Sequence, residues 1–239
     1  MKKFIVLVLA LAMVLSLAAC GGSSNPTAAP TTAAPETTKA PETTKAQDQT
    51  TAAPQDETTA APSGDASWET KGLPALTKGC LSGNILITSV GQSSEADTVA
   101  NLLKRAKFDN YTQNNVVTAD AVTSSYQVLV MVVGGSSKGL GGAGLDQDKE
   151  TARVTAVIAK AQELGLKIVC MHIGGSDRRG TLSDAFINLA FPAAEYAVVL
   201  KEGDTDDLMK GILAAKNVPT AYIDKQLESR DVLAFMFGK

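Results

Sequence analysis

From residue 84 onward, short runs of apolar residues alternate with longer stretches in which apolar positions recur every three or four residues. This alternation is typical of βαβ units, in which helices cover a parallel sheet. The predicted strands are 84–90, 111–117, 127–133, 167–173, 196–200 and 220–223. The predicted helices are about 95–107, 119–124, 147–164, 182–190, 205–216 and 227–237. The pattern therefore predicts one α/β domain with a sheet of five to six strands.

The composition of the strands indicates where each one lies in the sheet. Strands 127–133 and 167–173 are apolar at nearly every position, as expected where helices cover both faces, so both are predicted to be central. Strand 111–117 contains a Gln-Asn-Asn run and is predicted to be an edge. Together these features predict a single, doubly wound, mostly parallel sheet in a three-layer, flavodoxin/Rossmann-like arrangement, with strand order 2-1-3-4-5.

Several helix ends carry recognisable signals. Helix 147–164 has Asp146 before its positive N-terminal end and Gly165 after its last turn, which predicts a C-cap. The stretches 94–97 and 181–184 fit the capping-box pattern, in which a Ser or Thr is followed three residues later by an acid. These signals predict where three helices begin.

The first twenty residues resemble a bacterial lipoprotein signal. Lys2 and Lys3 precede the apolar run 4–19, which ends in Leu-Ala-Ala directly before Cys20. A run of 16 residues is shorter than the ~20 that a helix needs to cross a bilayer, and small residues precede the cysteine, as signal cleavage requires. The resemblance implies that residues 1–19 are removed and that Cys20 is acylated on the extracytoplasmic face of the cell membrane. The alternative, an uncleaved membrane anchor, places the domain on the same side.

Residues 20–66 form a predicted tether between this signal and the domain 67–239. The motif Thr-Thr-Ala-Ala-Pro occurs at 31–35, 50–54 and 58–62. A segment without large apolar residues cannot offset the entropy of ordering, so we expect disorder. If fully extended as polyproline helix, about 45 residues would reach roughly 140 Å, which favours a Gram-positive-type surface with a thick wall.

Composition excludes several classes of function. The domain carries 18 Lys and Arg against 19 Asp and Glu, which argues against nucleic acid as a partner. With three cysteines, one of them Cys20, neither a disulfide scaffold nor a Cys-based zinc site is expected, and a single histidine provides no metal pair. Cys80 and Cys170 are predicted to be free thiols. No metal or cofactor is expected.

Unusual sequence gathers after the first, third and fourth predicted strands. The three segments read SVGQSS from Ser89, GGSSKGLGGAG from Gly134 and HIGGSDRRG from His172. In an open α/β sheet, ligands bind at the carboxyl ends of the strands where strand order reverses, so we expect these segments to meet. The candidate ligand-binding residues are Gly91, Gln92, Ser93, Gly134, Gly135, Ser136, Ser137, Lys138, Gly139, His172, Gly174, Gly175, Arg178 and Arg179.

A small anion is the ligand that these residue types favour. Glycines let backbone N–H groups approach a ligand, serine hydroxyls add donors, and Lys138, Arg178 and Arg179 add positive charge. A further anion position is expected at the start of the helix after Gly144. Neither nucleotide-binding glycine pattern is present. The alternative is a surface loop that binds nothing, with Arg178 and Arg179 as ordinary solvated charges.

His172 allows two interpretations. It is either a buried, hydrogen-bonded, neutral imidazole or a group that contacts ligand as an acid or base. A Ser-His-acid triad can be composed from Ser93 or Ser136 with His172 and Asp177, but the Gly-x-Ser-x-Gly elbow is absent and nothing in the sequence fixes their geometry.

The motifs SVGQSS, VVGGSSKGLGGAG and HIGGSDRRG, in this order, resemble a bacterial lipoprotein family that carries a domain of unknown function. The resemblance covers about residues 84–225. It implies a shared site at the strand ends and supplies no catalytic residues.

Three functional hypotheses follow. The first is a lipid-anchored protein that binds a small anionic molecule and presents it to a membrane transporter or receptor, although about 170 residues make one domain where a two-lobed solute-binding protein needs two. The second is a surface hydrolase or transferase that uses His172 as acid or base. The third is an adhesion module, which would need an exposed apolar patch.

Overall fold

A computed structural model of the chain describes residues 67–239. They form a three-layer α/β fold around one six-stranded parallel sheet with strand order β2-β1-β3-β4-β5-β6. The strands are β1 Ile85–Val90, β2 Tyr111–Gln113, β3 Val128–Val133, β4 Lys167–His172, β5 Tyr196–Leu200 and β6 Thr220–Ile223. The predicted doubly wound sheet, with β2 at one edge, is confirmed.

Strand β2 is shorter than predicted because the chain turns away from the sheet after Asn114, whose N–H still donates to the carbonyl of Ile87 in β1 at 2.9 Å. The side-chain oxygen of Asn114 accepts a hydrogen bond from the backbone N–H of Val116 at 3.1 Å. Such a local bond offers the backbone an alternative to the sheet ladder. β2 therefore pairs with β1 over three residues only.

The helices are α1 Glu95–Arg105, α2 Ser137–Gly142, α3 Gln147–Glu163, α4 Thr181–Ala190, α5 Leu208–Ala214 and α6 Glu228–Met236. Five of them match predicted helices within a few residues. The predicted helix 119–124 is instead a single 3₁₀ turn, Ala119–Ala121. The short helix α2, which lies within the glycine-rich segment after β3, was not predicted because three of its six residues are glycine.

The predicted helix ends are partly confirmed. The side chain of Asp146 accepts from the N–H of Lys149 and caps α3, and Gly165 follows α3 with a φ of 69°. Both capping boxes are wrong. Ser94 makes no side-chain capping bond, and Gly180, which has no side chain, occupies the N-cap of α4 in place of Thr181.

The sheet separates two apolar cores. Helices α3, α4 and α5 pack on one face, where side chains such as Leu129 and Phe186 are buried. Helices α1 and α6 pack on the other, around side chains such as Val130 and Leu103. Because β1 and β3 are neighbours while their connections run to opposite sides, strand order reverses between them, and a crevice is expected at their carboxyl ends.

Other expectations concern cysteines and the membrane. Cys80 and Cys170 are both free thiols, as predicted. In residues 67–239, no helix has the length and apolar character required to cross a membrane. The predicted signal 1–19, the acylated Cys20 and the tether 20–66 lie outside the described residues.

Candidate functional site

The segments that follow β1 and β3 lie against each other, as the sequence predicts. The N–H of Gly134 donates to the carbonyl of Val90 at 2.9 Å, and the N–H of Ser136 donates to the carbonyl of Gly91 at 2.8 Å. Gln92 and Gly135 form an antiparallel bridge. The segments after β1 and β3 therefore form one structure at the switch point.

The close contact between the β1 and β3 segments requires a glycine at position 91. Its φ is 93°, and a Cβ at this position would lie 2.5 Å from the carbonyl oxygen of Gly134. Gln92 follows with a φ of 58°, a conformation that non-glycine residues adopt at a cost. Its side chain donates to the carbonyl of Asn115 at 2.8 Å, which helps to hold the turn.

A buried ion pair in α3 supports the same turn. Glu150 accepts hydrogen bonds from the N–H of Gly91 and the side chain of Gln92, at 2.8 and 3.1 Å. Arg153 binds Glu150 at 2.8 Å and donates to the carbonyl of Ser89 at 2.7 Å. Burial raises the pKa of Glu150, but the bonds from Arg153 and Gly91 outweigh it and hold the pKa below its ordinary value. The carboxylate is therefore a fixed negative charge that holds the loop after β1 in position.

The sequence did not identify Glu150 and Arg153 as important. Both lie on helix 147–164, whose signals were its end residues and its apolar face, and an acid with an arginine three residues later also fits a solvated helix surface. Only the tertiary structure brings their side chains into contact with the backbone at the end of β1.

The third segment, after β4, lines a cavity at the start of α4 that we call the outer pocket. Its volume is about 260 Å³. Lining residues come from the segment after β3, the segment after β4 and the first turn of α4: Gly135, Ser137, Asp177, Arg178, Arg179, Gly180, Thr181, Leu182 and Ser183. The N–H of Gly135 donates to the hydroxyl of Ser183 at 2.9 Å and joins the two sides.

The two arginines of this segment have carboxylate partners. Arg179 binds Asp184 at 2.7 Å and Asp206 at 3.0 Å, and these bonds raise its pKa further above its ordinary value. Arg178 binds Glu95, the second residue after Ser93, with Nε 3.2 Å from Oε1. The Arg178 side chain is 57% exposed and that of Arg179 is 13% exposed, so Arg178 is the more accessible of the two positive charges.

The remaining predicted residues of the β3 segment lie in or next to α2. The hydroxyl of Ser136 accepts from the N–H of Gly139 and caps this helix, and Gly139 lies against the backbone of Gln92. Lys138 is exposed on α2 and does not line the outer pocket. The anion position expected after Gly144 coincides with the start of α3, which the side chain of Asp146 caps. An anion there would have to replace the Asp146 carboxylate, so this position stays a prediction.

His172 is buried, with 1% of its surface exposed, and its Nδ1 lies 2.8 Å from the carbonyl oxygen of Val133. Because a carbonyl only accepts, Nδ1 carries the hydrogen and Nε2 is left as an acceptor. Burial lowers the pKa of His172 and thereby favours the neutral ring. The structure therefore shows the buried, hydrogen-bonded imidazole of the first interpretation, and a contact of His172 with ligand stays a prediction.

Two more polar groups, Ser93 and Glu95, are buried next to Gly134, and we refer to Ser93, Glu95 and His172 together as the buried cluster. Ser93 and Glu95 are 6% and 4% exposed. Within the described residues, Ser93 Oγ, Glu95 Oε2 and His172 Nε2 have no hydrogen-bond partner. Glu95 was not among the predicted site residues, because an acid in the first turn of a helix is commonly explained by the helix dipole alone.

A Ser-His-acid triad is not assembled. Ser93 Oγ and His172 Nε2 make no hydrogen bond to each other, since each lacks a partner within the described residues. Ser136 is the cap of α2, and Asp177 is exposed on the rim of the outer pocket. In residues 67–239, no group of three His, Cys, Asp or Glu side chains could hold a metal ion.

Solved structures with a similar arrangement include two hydrolases and a response regulator. The psychrotrophic esterase EstA from Pseudoalteromonas sp. is 14% identical over 65% of this chain and 97% of its own, with a TM-score of 0.34. The RcsB response regulator of Salmonella typhimurium is 12% identical over 64% and 68%, with a TM-score of 0.29. A GDSL-like lipase from Bacteroides thetaiotaomicron is 11% identical over 57% and 65%, with a TM-score of 0.27. At these sequence identities and TM-scores, the similarities support no conclusion about function.

The sequence comparison is more specific. No curated protein matches this sequence. A family model does match, and it covers residues 82–237, which include every strand, all six helices, the outer pocket and the buried cluster. The chain therefore belongs to the family defined by the domain of unknown function DUF6305.

Proposed function

We propose that this protein is a lipid-anchored extracytoplasmic binding protein whose α/β domain takes a small anion in the outer pocket. The observation that carries the proposal is the start of α4. This helix has ten residues, its N-cap Gly180 provides no side-chain cap, and it opens into a cavity of about 260 Å³ next to Arg178 and Arg179.

The backbone supplies the first attraction for an anion. The first N–H groups of a helix have no partner within the helix, and the aligned peptide dipoles place partial positive charge there. Thr181, Leu182 and Ser183 form this first turn and line the pocket. An oxyanion or carboxylate between them and Arg178 would accept hydrogen bonds that water otherwise provides.

The side chains limit the charge of the ligand. Asp177 lines the pocket, Arg179 is bound to two carboxylates and Arg178 to Glu95 alone, so the half-exposed Arg178 is the more available positive charge. This balance favours a ligand with a single negative charge, such as a carboxylate, over a large polyanion.

The location of the protein is part of the proposal. A basic start, a 16-residue apolar run and Leu-Ala-Ala-Cys20 support lipid anchoring, and the repeated Thr/Ala/Pro sequence supports a spacer between membrane and domain. A protein held in this way can pass a small solute to a membrane transporter or receptor, which is the partner we propose.

A melting experiment with several anions tests the binding function. Sodium acetate, formate, phosphate and sulfate are compared with sodium chloride at equal ionic strength, for the full chain and for Arg178→Gln. We expect at least one anion to raise the melting temperature of the wild type and to lose this effect in the variant. Arg105→Gln, which removes an exposed arginine of α1, is the matched control and should respond as the wild type does. Equal responses in all three proteins would contradict the proposal.

A further inference from the structure

Four exposed lysines lie together at one end of the domain, and we call them the basic face: Lys78, Lys104, Lys107 and Lys239. Within residues 67–239, none of the four has a carboxylate partner, whereas most of the other lysines and arginines there pair with an acid. The basic face is therefore a local positive surface on a domain whose charges otherwise nearly cancel.

Contacts among three segments of the chain hold these lysines close to one another. The N–H of Lys107 donates to the carbonyl of Lys104 at 3.1 Å, just after α1. The ammonium group of Lys239 lies 3.8 Å from the ring centre of Phe108, the residue that follows Lys107. The glycine after Lys78 lies against the glycine before Lys239. The four side chains therefore belong to one continuous surface.

The neighbouring groups do not neutralise this surface. The C-terminal ends of α1 and α6 lie here, and each carries about half a negative charge from the aligned peptide dipoles. Asp109 adds one exposed carboxylate. Together these groups offset about two of the four lysine charges, so the helix ends alone do not account for the cluster.

The basic face lies at the opposite end of the strands from the outer pocket. Lys104 is in the last turn of α1, and the segment that follows it adjoins the start of β1, where the N–H of Ile85 donates to the carbonyl of Asn110 at 2.8 Å. The outer pocket is lined by the segments that follow the carboxyl ends of β3 and β4. A partner that covered the basic face would therefore leave the outer pocket open.

We propose that the basic face docks the domain on an anionic lipid bilayer, whose phosphate headgroups are its partner. This inference rests on the proposed function, because the proposed lipid anchor at Cys20 holds the domain beside a membrane. Residues 21–66 can span more than about 100 Å, so the chain is long enough for any face of the domain to reach the bilayer. An acyl anchor and a basic patch together bind a membrane more firmly than either does alone.

The anchor also favours a bilayer over a soluble polyanion. It keeps the domain and the headgroups of its own membrane at a high effective concentration, so that a weak electrostatic contact is occupied for much of the time. Lysines are attracted to an anionic leaflet only within about a Debye length, so the docked state depends on ionic strength. Docking through the basic face would orient the outer pocket away from the bilayer.

Energy transfer from Trp68, the only tryptophan in the chain, measures docking. Its ring lies 5.3 Å from that of Phe235, whose carbonyl accepts from the residue after Lys78. The full, acylated chain is incorporated into phosphatidylcholine vesicles that contain a dansyl-labelled lipid, with or without phosphatidylglycerol. We expect greater transfer in the anionic vesicles, and its loss at about 1 M salt, where the Debye length is roughly 3 Å. Equal transfer in both kinds of vesicle would overturn the inference and leave the anchor intact.

Two triple variants of equal net charge separate the position of the lysines from their number. The site variant combines three changes in the basic face: Lys78→Gln, Lys104→Gln and Lys107→Gln. The control variant changes three exposed lysines elsewhere: Lys149→Gln, Lys216→Gln and Lys225→Gln. Each basic residue near an anionic surface strengthens binding by roughly fivefold, so the site variant should dock roughly a hundredfold more weakly and the control should dock almost as the wild type does. Equal docking by the two variants would overturn the inference.

Two further measurements cover the remaining outcomes. If the chain is not acylated, the lipid anchor fails, and sedimentation of the free chain with the same vesicles replaces energy transfer. Stronger binding to anionic than to neutral vesicles, lost in the site variant, would then support the inference, and its absence would overturn it. Inorganic polyphosphate serves as a soluble competitor. Binding of polyphosphate by the basic face without any preference for anionic vesicles would also overturn the inference, since the partner would then be a polymer.

Discussion

The carboxylate of Glu150, in the first turn of α3, accepts a hydrogen bond of 2.8 Å from the backbone N–H of Gly91, at the end of β1. The two residues are 59 positions apart in the sequence. This bond fixes the turn that separates β1 from the buried cluster, and Arg153 completes it by binding both Glu150 and the carbonyl of Ser89. The turn after β1 is therefore held in place by a helix that packs on one face of the sheet.

Glu150→Gln should lower the free energy of unfolding by about 3 kcal/mol, because it leaves the buried guanidinium of Arg153 without a counter-ion. Urea denaturation measures the change. Glu163→Gln removes a carboxylate of the same helix that pairs with Lys160 at the surface, and it should change stability by less than about 1 kcal/mol. Similar losses in the two variants would show that the buried pair has no special role.

Gly91→Ala should destabilise the domain by about 2–4 kcal/mol, through its left-handed backbone and the clash with Gly134. Gly141→Ala is the matched control, because a Cβ there meets nothing within 4 Å and the position lies inside a helix. Alanine is the better helix former, so this variant should be neutral or more stable by up to about 1 kcal/mol. Thermal or urea unfolding distinguishes the two, and a tolerated Gly91→Ala would contradict the described turn.

Burial of His172 makes stability depend on pH. Its pKa in the folded state lies below the ordinary value of 6.5, so below this pH the unfolded chain takes up a proton that the folded chain resists. The contribution of His172 to stability is therefore complete above pH 6.5 and falls with decreasing pH until the folded pKa is reached, by up to about 1.4 kcal/mol per pH unit.

His172→Asn tests this dependence, since an asparagine amide can still donate to the carbonyl of Val133. Because His172 is the only histidine in the chain, the variant should be less sensitive than the wild type to a change from pH 7.5 to 5.5. Urea denaturation at the two pH values gives the comparison. Equal slopes for the two proteins would mean that the imidazole titrates normally.

The fold could be predicted largely from sequence because the strands and helices carry strong periodic signals. The nearly continuous apolar runs that became β3 and β4 identified the centre of the sheet, and the topology rule then placed the segments after β1, β3 and β4 at one end of the strands. Capping signals were less reliable, since Ser94 and Thr181 matched a local pattern that the actual backbone does not use.

The partners of charged side chains could not be predicted. The sequence placed Lys138, Arg178 and Arg179 together as cations for a ligand, but each arginine has a carboxylate partner from elsewhere in the chain and Lys138 extends from an unexpected helix. Glu95, Glu150 and Arg153 became important through tertiary contacts over long sequence separations, which no local pattern encodes. Ligand binding by the predicted residues stays a prediction.

Lipid anchoring has its own test. Cys20→Ala should leave uncleaved precursor that incorporates no labelled fatty acid, because the cysteine is both the proposed acceptor and the proposed new N-terminus. The wild type should incorporate the label and partition into the membrane fraction. Labelling of the variant, or an unlabelled wild type, would contradict the lipoprotein interpretation.

The most direct test of the central claim is an NMR titration of the ¹⁵N-labelled full chain with sodium acetate, at constant ionic strength. We expect saturable shifts of the backbone amides of Gly135 and of Thr181, Leu182 and Ser183, which line the outer pocket. These shifts should disappear in Arg178→Gln and persist in Arg105→Gln. Shifts confined to other surfaces, such as the opposite edge of the sheet near Asn84, or no saturable shift at all, would contradict it.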